Sequence, residues 1–181
     1  MRRVVVTGMA GITALGNDWE TLSRAFSSNR SGIRRMHEWD VFEDLNTRLG
    51  GPIDDFAVPA HWTRKQLRSM GRVARLAVAA AERALADAGL LDDPSIRDGR
   101  MGVACGSSAG STDEIKAFGN MLLNARADGL NANSYVRMMP HTTAANISIF
   151  FGLTGRLIPT SSACTSGSQG VGYAYEAIKF G

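Results

Sequence analysis

The length, composition and charge of the sequence are typical of a soluble globular protein. Its 181 residues are 44% hydrophobic and 20% charged, enough for one domain with a core, and we predict a single domain over residues 1–181. The net charge of +3 does not by itself indicate a nucleic-acid partner. No run of about 18 uncharged apolar residues predicts a membrane-spanning helix, and no signal peptide is evident, so the cytoplasm is expected. The two cysteines suggest a reducing compartment, and no His/Cys spacing suits a metal.

The first third of the chain predicts a strand, a helix and a long irregular stretch. Val4–Val6 is a β-branched run that we predict as a buried strand. Asn17, followed three residues later by Glu20, is typical of a helix N-terminus, and the helix is expected over residues 18–27. Residues 28–62 contain several glycine and proline breakers and are predicted to be largely irregular.

A long helix is predicted over residues 64–88. Thr63 and Gln66 form a capping-box pattern at its start, and Gly89 ends it. Basic residues cluster in the first half of this helix, namely Arg64, Lys65, Arg68, Arg72 and Arg75. Positive charge is unfavourable at this end of a helix dipole, which favours a functional reason over an ordinary solvated face.

The middle of the chain predicts a second strand and two further helices. Residues 101–105 read as a core strand, with Cys105 as an inert core residue, and residues 106–111 form a turn of small residues. Helices are expected over residues 112–126 and 138–151. In the second of these helices, three polar side chains are predicted to face buried or interface positions: Thr142, Thr143 and Asn146.

Cys164 lies where a predicted strand turns into a predicted helix. Residues 150–159 are apolar with glycine breaks and predict a short strand, and the helix is expected over residues 168–180. The positive end of that helix would favour a thiolate, and its free N–H groups would stabilise an oxyanion on a thioester carbonyl. Glycines at 167, 170 and 172 suggest that another element packs closely against the helix. The alternative is a buried structural cysteine.

The motif around Cys164 resembles the nucleophile motif of the β-ketoacyl-acyl-carrier-protein synthases, the condensing enzymes of fatty acid and polyketide synthesis. Further matches cover essentially the whole chain: Val4–Gly8, Gly16-Asn17, Ser31–Ile33, Ala84–Leu90, Gly102–Gly110, Met139-Pro140 with Asn146, Gly152–Gly155 and Ser162–Gly167. Members of that family are about twice as long, and their second half supplies two histidines and a lysine around the cysteine. We therefore expect these residues to be the N-terminal half of such an enzyme, a fragment that does not condense by itself.

The resemblance implies a thiolase-like α/β layered fold, of which this chain is one βαβαβ half of the duplicated domain. It implies acyl transfer to Cys164, then decarboxylative Claisen condensation with malonyl-acyl-carrier protein in fatty acid biosynthesis, without a cofactor. Ala109 resembles a gate at the acyl pocket, and Lys65 and Arg68 match positions that contact the acyl-carrier protein. The family pairs subunits through the strand before the nucleophile, here residues 156–161, so a homodimer is expected, with no nucleic-acid or membrane partner.

Several alternatives remain open at this stage. A polyketide ketosynthase fits this half of the enzyme nearly as well as a fatty acid synthase component. A thiolase shares the fold, but the basic helix and the residues around Cys164 argue against it. A non-catalytic chain-length factor is expected to lack the cysteine. A structural or dimerisation module would associate through the same strand edge and its uncovered apolar surface.

Overall fold

The computed structural model describes residues 2–181, which form two compact units. One unit comprises Val58–Gly181 together with the N-terminal segment that ends at Gly8, and the other comprises Met9–Ala57. The helices and strands occur in the order α1 (Trp19–Ser27), β1 (Arg34–Arg35), β2 (Leu49–Gly50), α2 (Arg64–Leu67), α3 (Arg72–Asp87), β3 (Val103–Gly106), α4 (Thr112–Asn124), α5 (Ser134–Met138), α6 (Thr142–Phe151), β4 (Leu157–Thr160) and α7 (Ser166–Phe180). The predicted α/β class is confirmed. Within the described residues, none of these helices has the length and apolar character that crossing a membrane requires.

The smaller unit is built from α1 and a short antiparallel pair of strands, β1 and β2. Helix α1 begins after Asp18, whose carboxylate accepts a hydrogen bond from the Thr21 N–H at 2.8 Å. This backbone hydrogen bond lowers the pKa of Asp18. The cap predicted at Asn17 is therefore wrong by one residue, because the Asp18 side chain is the one that reaches a free N–H of the first turn.

The long helix predicted over residues 64–88 is interrupted and forms α2 and α3. Its start is as predicted, since Thr63 and Gln66 form a reciprocal capping box. The continuous helix is wrong after α2, where the Arg68 carbonyl accepts two hydrogen bonds from the Arg137 guanidinium, at 3.1 and 2.7 Å. In an unbroken helix that carbonyl would accept from a backbone N–H, so a tertiary contact has replaced a helical bond.

The main core of the larger unit lies where α3 packs against α6. Its buried hydrophobic residues are Trp62, Met70, Ala74, Val78, Ala79, Ile96, Ala144, Phe151 and Leu153. The prediction that Thr142, Thr143 and Asn146 are buried is confirmed. The amide of Asn146 donates to the Thr142 carbonyl at 2.8 Å, and its oxygen accepts from the Ser69 hydroxyl at 2.6 Å. This polar side chain is therefore buried with its hydrogen bonds satisfied.

A parallel pair of strands, β3 and β4, carries the part of the fold that positions the candidate site. Val103 lies opposite Leu157, and Gly106 lies opposite Thr160, where both strands end. Helix α7 packs on both strands. The strand predicted at residues 101–105 is confirmed, shifted by one or two residues. Because the two parallel strands end at the same edge, the turns that follow them lie side by side.

The strand predicted at Val4–Val6 is wrong in this structure. Residues 4–6 do not form a strand, and Val5 and Val6 are 60% and 76% exposed. Among residues 2–181, no segment pairs with this run, whereas β3 has β4 as a neighbour. A β-branched run becomes a strand when a partner pairs with its N–H and C=O groups and covers its side chains. Here no described strand pairs with the run, and two of its three valines are mostly exposed.

Candidate active site

Cys164 lies in the short turn between β4 and α7. A single turn of 3₁₀-helix spans Ala163–Thr165, and α7 begins directly after it, at Ser166. The cysteine is exposed. Ala163, which precedes it, has a φ of 49°, in the left-handed region that costs a non-glycine residue about 1 kcal/mol. The predicted sharp turn from strand to helix is confirmed, and α7 starts two residues earlier than predicted.

The buried hydroxyl of Ser166 holds this turn together from the inside. Its Oγ donates to the Ala163 carbonyl at 2.7 Å and accepts from the Ser162 N–H, also at 2.7 Å. The Thr160 hydroxyl, which is buried at the end of β4, donates to the Ser166 carbonyl at 2.7 Å. Strand end, turn and helix start are thus joined by hydrogen bonds that leave the cysteine at the surface.

The backbone at the end of β3 is in close contact with the backbone at the start of α7. A Cβ atom added to Gly106 would lie 2.2 Å from the Ser166 carbonyl carbon and 2.5 Å from the Gly167 nitrogen. Next along the chain, the Ser107 N–H donates to the Thr160 carbonyl at 3.0 Å, and the Ser108 hydroxyl donates to the Ala163 carbonyl at 2.7 Å. Glycine is therefore required at position 106 by the close approach of two backbones.

The two cysteines occupy different environments. Cys105 lies in β3, half-buried, and burial raises the pKa of its thiol. This agrees with the prediction of an inert residue, because a thiol with a raised pKa carries little thiolate at neutral pH. Cys164 is exposed at the N-terminal end of a helix of 15 residues. The structure therefore distinguishes the two thiols by accessibility as well as by position in the chain.

Ala109, the predicted gate residue, lies in the turn between β3 and α4 and is exposed. Its carbonyl accepts a hydrogen bond from the Ser107 hydroxyl at 3.0 Å, and its neighbour Ser108 contacts Ala163. The turn that carries Ala109 is therefore adjacent to the turn that carries Cys164.

Lys65 and Arg68, the predicted carrier contacts, lie on α2 and at its C-terminal end, and both are exposed. Within the described part of the chain, no hydrogen bond or ion pair joins either residue to the turn of Cys164. Lys65 and Arg68 therefore form an exposed basic surface that is not bonded to the cysteine turn, and Cys164 is itself exposed.

Arg137 links the basic helix to α4, which the sequence analysis did not anticipate. Besides its two bonds to Arg68, the guanidinium forms an ion pair with Glu114 at 3.2 Å, and both side chains are largely buried. Burial by itself raises the pKa of Glu114, but the Ser111 hydroxyl and the Arg137 guanidinium outweigh it and hold the pKa below its ordinary value. No local pattern marked Arg137, because its partners lie far away in the sequence.

Close packing against α7 was predicted at Gly167, Gly170 and Gly172, and the structure shows it at Gly170. A Cβ on Gly170 would meet the Ala104 carbonyl at 3.4 Å, a tight contact with β3. The prediction is wrong at Gly167 and Gly172, where a Cβ would meet no atom of the described residues within 4 Å. At both positions an added side chain would therefore point into open space.

One apolar surface pocket lies away from Cys164. It measures about 580 Å³ and is lined by residues from the starts of β3 and β4 and from the second half of α7, among them Val103, Ile158 and Ile178. The cysteine turn is at the other end of both strands, so this pocket does not adjoin Cys164. Among residues 2–181, no cluster of three His, Cys, Asp or Glu side chains could hold a metal ion.

Comparison with known proteins shows which family this chain resembles. The family model described as "Beta-ketoacyl synthase, N-terminal domain" matches residues 1–181. The 3-oxoacyl-[acyl-carrier-protein] synthase 2 of Vibrio harveyi is 33% identical over 180 residues, which cover 99% of this chain and 43% of that protein. Nodulation protein E of Rhizobium leguminosarum bv. trifolii is also 33% identical, over 181 residues, with 99% and 44% covered.

A solved structure supports the same relationship at the level of the fold. The crystal structure of a β-ketoacyl synthase from Burkholderia phymatum is 58% identical, with a TM-score of 0.94, and the match covers 100% of this chain and 44% of that one. The chain therefore spans less than half the length of these relatives. The match confirms the predicted thiolase-like layered fold, of which this chain represents one half.

Proposed function

Since this chain belongs to the β-ketoacyl synthase family, whose N-terminal domain it matches over its whole length, we propose that it is the nucleophile-bearing half of a 3-oxoacyl-[acyl-carrier-protein] synthase of fatty acid biosynthesis. Cys164 is the proposed catalytic nucleophile. The observation that carries this proposal is an exposed cysteine in a tight turn at the N-terminus of α7, while the other cysteine is half-buried in β3.

The proposed first step is acyl transfer. The Cys164 thiolate attacks the carbonyl carbon of an acyl-carrier thioester, a new S–C bond forms, and the carrier thiolate leaves and takes up a proton. The backbone N–H of Cys164, at the positive end of α7, stabilises the oxyanion of the tetrahedral intermediate. The half-buried Cys105 takes no part, because its raised pKa disfavours the thiolate at neutral pH.

The proposed second step is decarboxylative condensation with malonyl-acyl-carrier protein. The carbanion left by loss of carbon dioxide attacks the acyl-Cys164 carbonyl, and the cysteine thiolate leaves as the β-ketoacyl product forms. By family resemblance, two histidines outside residues 1–181 promote this step. We therefore expect the 181-residue chain to load an acyl group without forming β-ketoacyl product.

Ala109 and the basic surface on α2 complete the proposed substrate path. Ala109 lies in the turn beside that of Cys164 and, having a small side chain, would leave the mouth of the acyl pocket open. Lys65 and Arg68 are exposed cations that would attract an acidic carrier protein. Such contacts act mainly on the association rate and weaken as salt is added.

We further propose that the enzyme works as a cytoplasmic homodimer. Within the described residues, β4 pairs with β3 along one edge alone, and Leu157 on this strand is 41% exposed. An unpaired strand edge with exposed apolar side chains is suited to association with a second copy.

Mass spectrometry of acylated peptides tests the proposed nucleophile. Acyl-carrier thioester is added to the 181-residue chain and to a chimera in which these residues replace the matching 44% of the Burkholderia phymatum synthase. We expect the acyl mass on Cys164, its loss in Cys164→Ala, and its retention in the matched variant Cys105→Ala. Acylation that survives Cys164→Ala, or a wild-type chimera that is never acylated, would contradict the proposal.

A further inference from the structure

We propose that Ser108 is a positioning residue for acyl transfer: its hydroxyl holds the Ala163 backbone in the conformation that presents Cys164 to the thioester. This inference rests on the proposed function, because it assigns Ser108 a part in the same step. Ser108 lies in the turn after β3 and Ala163 in the turn after β4, 55 residues later in the chain.

The contact is well formed. The Ser108 Oγ donates to the Ala163 carbonyl at 2.7 Å, and the same carbonyl accepts from the Ser166 Oγ at 2.7 Å. The two hydroxyl oxygens are themselves 3.2 Å apart. The backbone N–H of Ser166 also donates to this carbonyl. Of these donors, the Ser108 hydroxyl alone comes from the neighbouring turn, and the other two belong to the start of α7.

Ala163 needs such support because its backbone is in an unfavourable region. A non-glycine residue with a φ of 49° keeps that conformation only when its surroundings hold it there. Residues 161–165 are all exposed, so packing around their side chains contributes little. The support therefore comes from hydrogen bonds, and the one from Ser108 ties the turn to the parallel strands.

The neighbouring hydroxyls have other partners. The Ser107 Oγ donates to the Ala109 carbonyl at 3.0 Å, inside its own turn. The Ser162 hydroxyl donates to the side-chain oxygen of Gln169 on α7. Within residues 2–181, Ser108 is the side chain that reaches Ala163 from the turn after β3. Ser107 is therefore a matched control, one residue away and chemically identical.

This geometry predicts an effect on the acylation rate and not on substrate affinity. Ser108 adjusts the orientation of the nucleophile, and small errors in that orientation slow a reaction even when the substrate remains bound. We expect Ser108→Ala to lower the acylation rate constant of Cys164 at saturating thioester by about three- to tenfold, the range that one neutral hydrogen bond supports. The thioester concentration at half-maximal rate stays unchanged.

The experiment compares the wild type with Ser108→Ala, Ser108→Thr and Ser107→Ala in the 181-residue chain and in the chimera described above. Acylation rates are measured at several thioester concentrations, and amide hydrogen exchange of residues 161–166 is measured without substrate. We expect slower acylation and faster exchange in Ser108→Ala alone. Ser108→Thr, which keeps a hydroxyl, should restore both, and Ser107→Ala should resemble the wild type.

The two readouts distinguish this inference from the proposed function. If no variant is acylated in either form of the protein, the proposed function fails, and selective acceleration of exchange in Ser108→Ala still establishes the support of Ala163. The inference is overturned if Ser108→Ala matches Ser107→Ala in both acylation and exchange. It is also overturned if Ser108→Ala changes the half-maximal concentration while the saturating rate is unaltered.

Discussion

The segment Val4–Val6 and strand β3 are both short runs of small or β-branched apolar residues, but one of them alone forms a strand in the structure. Strand β3 has β4 along one edge and α7 across one face. Residues 4–6 have no strand neighbour within the described chain, and two of the three valines are more than half exposed. The contrast shows that strand formation here depends on a pairing partner and not on intrinsic propensity.

The same contrast explains why the cysteine turn is well defined. Because β3 and β4 are paired in parallel, the turns that follow them are adjacent. The backbone N–H of Ser107 donates to the Thr160 carbonyl, and the side-chain hydroxyl of Ser108 donates to the Ala163 carbonyl beside Cys164. A cysteine at the end of an unpaired strand would have no such neighbour. Orientation of the candidate nucleophile is thus a consequence of strand pairing.

The largest expected effect comes from separating β3 from α7. Gly106→Ala places a methyl group 2.2 Å from backbone atoms of Ser166, which cannot move aside as a flexible side chain would. We expect the free energy of unfolding to fall by about 3 kcal/mol, at the upper end for overpacking, and acylation of Cys164 to be lost. Urea unfolding and peptide mass spectrometry measure the two effects. Gly167→Ala is the control, since its methyl would enter open space, and equal destabilisation by both variants would contradict this explanation.

An intermediate effect is expected at the partnered carboxylate of Glu114. Its pKa is lowered in the folded protein, so its stabilising contribution is complete above the ordinary value of 4.5 and is lost as the pH falls through the folded value. At pH 7 we expect Glu114→Gln to reduce the free energy of unfolding by about 2 kcal/mol, as for a hydrogen bond to a charged group. The difference from the wild type should shrink as the pH is lowered below 4.5.

Urea unfolding between pH 7 and pH 3 measures this dependence. Asp113→Asn, one residue earlier at an exposed position of α4, is the matched control for the removal of a carboxylate. If Glu114→Gln lowers the free energy of unfolding by the same amount at every pH, the carboxylate acts by its shape and not by its charge.

The smallest effect is expected from a Val→Ala substitution, made once in β3 and once in residues 4–6. Val103→Ala removes two methyl groups from a half-buried position in β3, and we expect a loss of about 1 kcal/mol in the free energy of unfolding. Val5→Ala, at a position that is 60% exposed, should change it by less than about 0.5 kcal/mol. Thermal or urea unfolding of the two variants in parallel gives the difference, and a larger loss for Val5→Ala would mean that residues 4–6 are covered in solution.

Much of the local structure was predictable because its causes are local. The capping box at Thr63, the helix over most of residues 72–87 and the turn at Cys164 each follow from patterns that span a few residues. The burial of Asn146 was also predictable from its place in an apolar helix. In each case, neighbouring residues in the sequence supply the hydrogen bonds or the periodicity that define the element.

The sequence by itself therefore determined the α/β class, the family and the position of Cys164 between a strand and a helix. The tertiary structure alone decided three other features: the break between α2 and α3 at the Arg137 contact, the absence of a strand at residues 4–6, and the bond from Ser108 to Ala163. All three depend on contacts between residues that are far apart in the chain or on a missing neighbour. Local patterns carry no information about such partners, because a backbone group is satisfied equally well by any donor or acceptor that the fold brings to it.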